Sequence, residues 1–165
     1  LERKDFEQLV NQYGEQLYWQ IRRIVFDHDD ANDVLQNTLI KCWTHRDEFQ
    51  GKSNIKTWLT RIAINEALDF LRKKKREQNF CSESDEGISN QLSSDPYFDG
   101  DHTLTLLQEA LATLPDVQRT VFTLRYYDEM KYAQMSEVLK TSEGALKASY
   151  HLAVKKITEY LKTHD

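Results

Sequence analysis

Residues 131–155 read KYAQMSEVLKTSEGALKASYHLAVK, and this stretch decides the fold. Tyr132, Met135 and Leu139 recur at spacings of three and four, which puts them on one face of a short helix from Lys131 to Leu139. Lys140-Thr141-Ser142 breaks the pattern, and Ser142 is a good N-cap residue for a second helix. That helix is expected to turn Leu146, Tyr150, Val154, Ile157 and Leu161 inward. A short helix, a three-residue turn and an amphipathic helix make the helix-turn-helix layout. The outward positions near the start of the second helix are Glu143, Lys147, Ala148, His151 and Lys155. Small and polar residues there let the backbone approach a DNA major groove. A plain helical hairpin also has a polar outer face, so the pattern alone leaves both readings open.

Upstream of this motif, Leu104, Leu107, Leu111 and Leu114 form one apolar stripe. Pro115 begins a new helix, where its missing N–H costs nothing, and Val117, Val121 and Leu124 continue as the next stripe. Residues 77–102 are different in kind. They hold seven acidic residues and no basic one, with Ser82, Ser84, Ser89, Ser93, Ser94, Gly87, Gly100 and Pro96 among them. No apolar period runs through them, so a flexible acidic linker is expected. It reads as a solvated spacer or as a polyanion suited to a basic channel of a partner.

The first 76 residues are again helical. Phe6, Leu9, Val10, Tyr13, Leu17, Ile21, Ile24 and Val25 lie on one helix face. A second helix is expected after Asp27-His28-Asp29-Asp30, whose acids suit the positive end of the helix dipole. Its apolar face is read as Leu35, Leu39, Cys42 and Trp43. Phe49 to Ser53 interrupts, with Ser53 or Asn54 as N-cap of a third helix from about Ile55 to Arg76. Leu59, Ile62, Ala63, Ala67, Phe70 and Leu71 are its expected buried face. It ends in five consecutive cations, Arg72 to Arg76, more than a helix C-terminus requires and suited to phosphate.

Composition bounds the function. The chain has 165 residues, with 22 Lys+Arg, 27 Asp+Glu and a formal charge of −5. Residues 1–76 hold 14 basic and 12 acidic residues and residues 103–165 hold 8 of each, so the acidity sits in the linker. The negative total therefore does not argue against nucleic acid, which responds to where positive charge is placed. Few Gly and Pro residues, five and two, argue against a β-rich chain. There is no run of 18 apolar residues for a membrane span and no apolar h-region in the first residues for a signal peptide. Two cysteines, Cys42 and Cys81, make no disulfide framework and fit a reducing cytoplasm. No metal or cofactor motif is present, and none is assigned.

The chain resembles the extracytoplasmic-function (ECF) group of bacterial sigma factors. The first block carries Asp27-x-x-x-Ala31-x-Asp33-Val34-x-Gln36-x-Thr38, closing in Trp43. It continues with Phe49-x-Gly51-x-Ser53, Thr57-Trp58-Leu59-x-Arg61-Ile62-Ala63-x-Asn65 and Asp69-x-x-Arg72. The second block carries Leu111-x-x-Leu114-Pro115, Gln118-Arg119-x-Val121-Phe122-x-Leu124-Arg125 and Gly144-Ala145-Leu146-Lys147-Ala148-Ser149-Tyr150-His151. Met135-Ser136 and Ala145 depart from the family, which usually has Ile-Ala and often Thr at those places.

The resemblance implies an all-α protein of two small helical domains on a flexible acidic linker. Residues 1–76 would bind core RNA polymerase and read the −10 element, and residues 103–165 would read the −35 element. It implies no catalytic role. Polymerase would be met by Asp33, Gln36, Asn37 and Lys41. Melted −10 DNA would be met by Phe49, Lys52, Ser53, Lys56, Trp58, Arg61, Asn65 and Arg72. The −35 duplex would be met by Glu143, Lys147, Ala148, Ser149, His151 and Lys155. Partners are then core RNA polymerase and promoter DNA, with an anti-sigma factor as a further candidate and no membrane insertion. With domains of only about 75 and 60 residues, the interdomain geometry is expected to come from a partner. A helix-turn-helix regulator acting without polymerase would leave the Asp33–Gln36 pattern unexplained. An HD-type phosphohydrolase would use His28-Asp29 or His164-Asp165, without the further ligands such a site needs.

Overall fold

The computed structural model describes residues 2–49, 51, 54–78 and 102–164. The acidic stretch 79–101, Lys52 and Ser53 lie outside them. The described residues form seven α-helices and one 3-10 turn, with no strand among them. In chain order these are α1 (Arg3–Val25), α2 (His28–Thr44), the turn Arg46–Glu48, α3 (Ile55–Glu77), α4 (His102–Ala112), α5 (Asp116–Tyr126), α6 (Tyr132–Leu139) and α7 (Glu143–His164). The first three pack on each other as a bundle, and α4, α5 and α6 gather around α7.

Local chemistry explains where the helices start. The Asp27 carboxylate accepts from the Asp30 N–H at 3.0 Å, so α2 begins at His28, three residues earlier than the acidic run alone indicates. Of the two candidate caps for α3, Asn54 acts: its side chain accepts from the Lys56 N–H at 2.9 Å. Ser142 Oγ accepts from the Ala145 N–H at 3.2 Å at the start of α7. Pro115 is the residue before α5 rather than its first, with ψ of 148° outside the helical range. Glu77 and His102 are helical, one residue into the expected linker at each side.

Five helix faces differ from the periodic reading. In α2 the buried line is Ala31, Val34, Thr38 and Cys42, with Leu35 only partly buried. In α3, Thr60 and Ile64 are buried in addition to Leu59, Ala63 and Ala67. Val117 and Leu104 are exposed rather than inward. In α7, Ala153 is buried and Val154 is exposed. In α2, α3 and α7 small or hydroxylated residues stand on the buried line, where they allow close helix approach. The threonines stay satisfied, since Thr38 Oγ1 donates to the Val34 carbonyl at 2.7 Å and Thr60 Oγ1 to Gln20 Oε1 at 3.3 Å.

The two domains pack on each other. α6 lies on α3 and α5 on α1. One hydrophobic cluster runs from Ile21, Ile24 and Ile64 of the first domain into Val121, Met135 and Leu146 of the second. The interdomain geometry is expected from the sequence to come from a partner, and in the structure the two domains are also in direct contact.

Arg119 is the polar centre of that contact and is only 4% exposed. Its Nη2 donates to the Ile24 carbonyl at 2.9 Å, and its guanidinium lies 4.9 Å from the Phe26 ring centre. Ile24 is in the last turn of α1, where carbonyls have no partner within the helix and a cation meets the negative dipole end. Burial pulls the Arg119 pKa below its ordinary value, and Asp116 opposes the shift. Beside it, Arg23 reaches Asp128 at 3.5 Å and lies over the Tyr127 ring at 4.4 Å, while Lys75 donates to Asp116 at 2.7 Å.

Candidate nucleic-acid and polymerase surfaces

The end of α2, the 3-10 turn and α3 enclose a cleft of about 270 Å³, lined by Lys41, His45, Glu48, Trp58, Arg61, Ile62, Asn65, Glu66 and Asp69. Three residues expected to meet the −10 element, Trp58, Arg61 and Asn65, thus share one concavity. Their spacing along α3 places Trp58, Arg61 and Asn65 on successive turns of one face. Trp58 is half-buried and forms a wall, with the Phe49 ring 5.5 Å away at a tilt of 49°. Arg61 and Asn65 are exposed at the mouth. Lys56 is half-buried at the start of α3, and Arg72 is exposed two turns beyond Asn65.

Charge in this region is largely paired. Lys41 forms an ion pair with Glu66 across the cleft, and Arg72 pairs with Asp69. Lys74 donates to Asp30 at 3.0 Å. With the Lys75–Asp116 bond, three of the five cations closing α3 are engaged within the protein, leaving Lys73 and Arg76 exposed.

The other expected surface on α2 is separate. Asp33, Gln36 and Asn37 are exposed on its outward face, and Ile40 continues the same line at 62% exposure. Ile40 escaped the periodic reading, although a large apolar residue one turn beyond Asn37 on a polar line is a visible signal. Lys41 turns away from this line into the cleft, so the four expected polymerase residues divide three to one.

The outer face of α7 is convex and open. Glu143, Lys147, Ala148, His151 and Lys155 are exposed, and Ser149 is half-buried towards the core side. Lys147 Nζ lies 5.6 Å from the Tyr132 ring centre, which leans it towards α6. Lys140 ends α6 in the left-handed region with φ of 51°, and Ser136 Oγ donates to the Thr141 carbonyl at 2.7 Å. The serine at a family Ile-Ala position therefore ties the turn that aims α7. A Cβ added at Gly144 would meet open space, so packing does not require this glycine. The interdomain contact covers neither surface: both the cleft mouth and this face stay exposed.

His28, a candidate for metal chemistry, is occupied otherwise. Its Nδ1 is 2.6 Å from the Tyr18 hydroxyl and its Nε2 is 3.2 Å from Asn32 Nδ2. Among the described residues no group of three or more His, Cys, Asp or Glu side chains is placed to hold a metal ion, and no helix is long and apolar enough to cross a membrane. Cys42 is fully buried, and burial pushes its thiol pKa up to about 12.

Comparison with known proteins finds two family matches along the chain. The sigma-70 region 2 family matches residues 9–77, and sigma-70 region 4 matches residues 104–157. The ECF RNA polymerase sigma factor SigW of Bacillus subtilis is 30% identical over 155 residues, covering 88% of this chain and 83% of that protein. RNA polymerase sigma-E factor of Streptomyces avermitilis is 29% identical, covering 98% and 87%. The sigma factor RpoE of Bartonella quintana, solved in complex with the anti-sigma factor NepR, superposes with a TM-score of 0.79 at 28% identity. That match covers 98% of this chain and 99% of RpoE, both domains included.

Proposed function

The chain belongs to the ECF group of RNA polymerase sigma factors, and from that premise we propose how its surfaces divide the work. It binds core RNA polymerase and directs it to promoters. The exposed Asp33–Gln36–Asn37–Ile40 line of α2 docks on polymerase, its carboxylate and amides meeting a basic face and Ile40 supplying the apolar contact. The cleft between α2 and α3 takes one unstacked base of the melted −10 element. Trp58, backed by the Phe49 ring, provides a flat wall and Asn65 and Arg61 provide hydrogen bonds, as a flipped base requires. The outer face of α7 enters the major groove of the −35 element. Lys147 and Lys155 meet phosphates there and His151 meets a base edge.

Residues 1–76 and 103–165 are the two working domains, joined by residues 77–102. Work at the polymerase places the protein in the cytoplasm, and members of this family are non-catalytic initiation factors. An anti-sigma factor is a further partner, supported by the likeness to RpoE in its NepR complex. The observation that carries the reading is the ordered pair of family matches, each over a domain that holds its own exposed surface. The test is run-off transcription from a genomic promoter library by core polymerase with and without the protein. Promoters that share −10 and −35 elements and fire only with the protein support it. Promoter binding by the protein alone, with no dependence on core, overturns it.

A further inference from the structure

Leu152 is 47% exposed on α7, and neither the fold nor the residues assigned above use it. It lies one turn after Ala148, on the groove-facing side of a helix whose core line is Leu146, Ala153 and Ile157. Around the helix, Lys147, His151 and Lys155 run along one strip at spacings of four, and Ala148 and Leu152 run beside it. The second strip is apolar and exposed, and it is continuous with the cationic strip assigned to the −35 duplex. A single exposed leucine on a protein surface needs no explanation. A leucine on the groove-facing side of a recognition helix does, because a base edge that faces it loses water without gaining a hydrogen bond.

Resting on the −35 assignment above, we infer that Leu152 is a specificity-determining residue that selects thymine in the −35 element through its C5-methyl group. The methyl is the apolar group that a base edge offers in the major groove, and cytosine lacks it. Side-chain size fits the placement. Ala148 sits in the second turn, nearer the helix start that enters deepest, where a short side chain leaves room. Leu152 sits about 6 Å further along the axis, where the groove falls away and a longer side chain is needed to reach a base. Ala148 and Leu152 thereby hold one face of the groove without polar groups, while His151 and the two lysines hold the other.

The test uses holoenzyme and a promoter library randomised at the −35 element, prepared once with thymidine and once with deoxyuridine. Uracil keeps every hydrogen-bonding group of thymine and lacks the methyl. Wild-type holoenzyme should prefer thymine at one or two positions and lose about fourfold at them on the uracil library, the value of one buried methyl group. Leu152→Ala should show the reduced preference on the thymidine library and no further loss on uracil. Its helicity and salt dependence should match wild type, since Leu152 is neither core nor charged. Equal thymine preference in Leu152→Ala and wild type overturns the inference, as does a thymine preference indifferent to the methyl. Those results leave the −35 assignment standing if a sequence preference is still recovered. Recovery of no −35 preference at all by wild-type holoenzyme overturns the assignment and the inference together.

Discussion

The cleft between α2 and α3 and the outer face of α7 are built on opposite plans. The cleft is concave, walled by the Trp58 ring that Phe49 backs, and its charges are largely paired within the protein. The face of α7 is convex, and Lys155 and His151 extend from it into solvent. A single unstacked base is a flat object that needs a slot. An intact duplex offers a groove that needs a rod and phosphates that need unpaired cations. Shape and charge pairing thus separate the two surfaces before residue type does. They also bear on the paired end of α3: cations engaged with Asp69, Asp30 and Asp116 have less to give to phosphate than the five-residue run suggests.

The largest effect is expected outside both surfaces. Asp33→Arg places a like charge against the basic face proposed on polymerase, commonly several kcal/mol at a tight contact. Core binding in a pull-down should fall sharply with helicity unchanged, and transcription should fall at every promoter whatever its −10 or −35 sequence. Wild-type affinity would remove α2 from the interface.

The contrast between cleft and convex face is broken or kept by three substitutions. Asn65→Ala should cost about 1–3 kcal/mol of open-complex formation, the value of a stacked or hydrogen-bonded base. Permanganate footprints should show a weaker bubble, while closed-complex binding stays near wild type. His151→Ala should change the preferred base at one −35 position by about 1–3 kcal/mol. Lys155→Ala should weaken all sequences alike and lower the salt slope by about 1. If the effects of His151 and Lys155 exchange, the roles along α7 are misassigned.

Helix starts and surface positions were the legible part of this sequence. Asn54 and Ser142 act as caps because their short polar side chains reach back to nearby backbone N–H groups, a purely local matter, whereas Asp27 caps α2 three residues before the start that the acidic run indicates. Arg61, Asn65, His151 and Lys155 lie exposed on the faces that helical spacing assigns them. What periodicity misses is decided by tertiary neighbours. Thr38 and Thr60 look like surface residues, yet each satisfies its hydroxyl and permits close helix approach. Val154 and Val117 look like core, but both are exposed among the described residues. The interdomain contact was illegible for the same reason, since Arg119 finds its carbonyl on Ile24, 95 residues away in the chain.

The smallest expected effect concerns that contact. Burial raises the Asp128 pKa above its ordinary value near 3.8, with Arg23, Gln20 and Lys56 pulling the other way. A carboxyl whose pKa is higher in the packed form takes up a proton on packing. Its ionisation therefore costs stability above the raised value, and that cost is relieved as pH falls through it towards 3.8. Thermal midpoints of the free protein measured from neutral to mildly acidic pH should carry this linked proton in wild type and lack it in Asp128→Asn. Parallel pH profiles for the two would remove Asp128 as its source.

The division between slot and rod is tested most directly by equilibrium binding of holoenzyme to two separate probes. One is a single-stranded oligonucleotide carrying the non-template −10 sequence, and the other is a duplex carrying the −35 element, both taken from a promoter the protein activates. Asn65→Ala should weaken the oligonucleotide and leave the duplex at wild-type affinity, and Lys155→Ala should do the reverse. Equal losses on both probes for either variant, or an Asn65→Ala holoenzyme that binds the oligonucleotide as wild type does, would contradict the account.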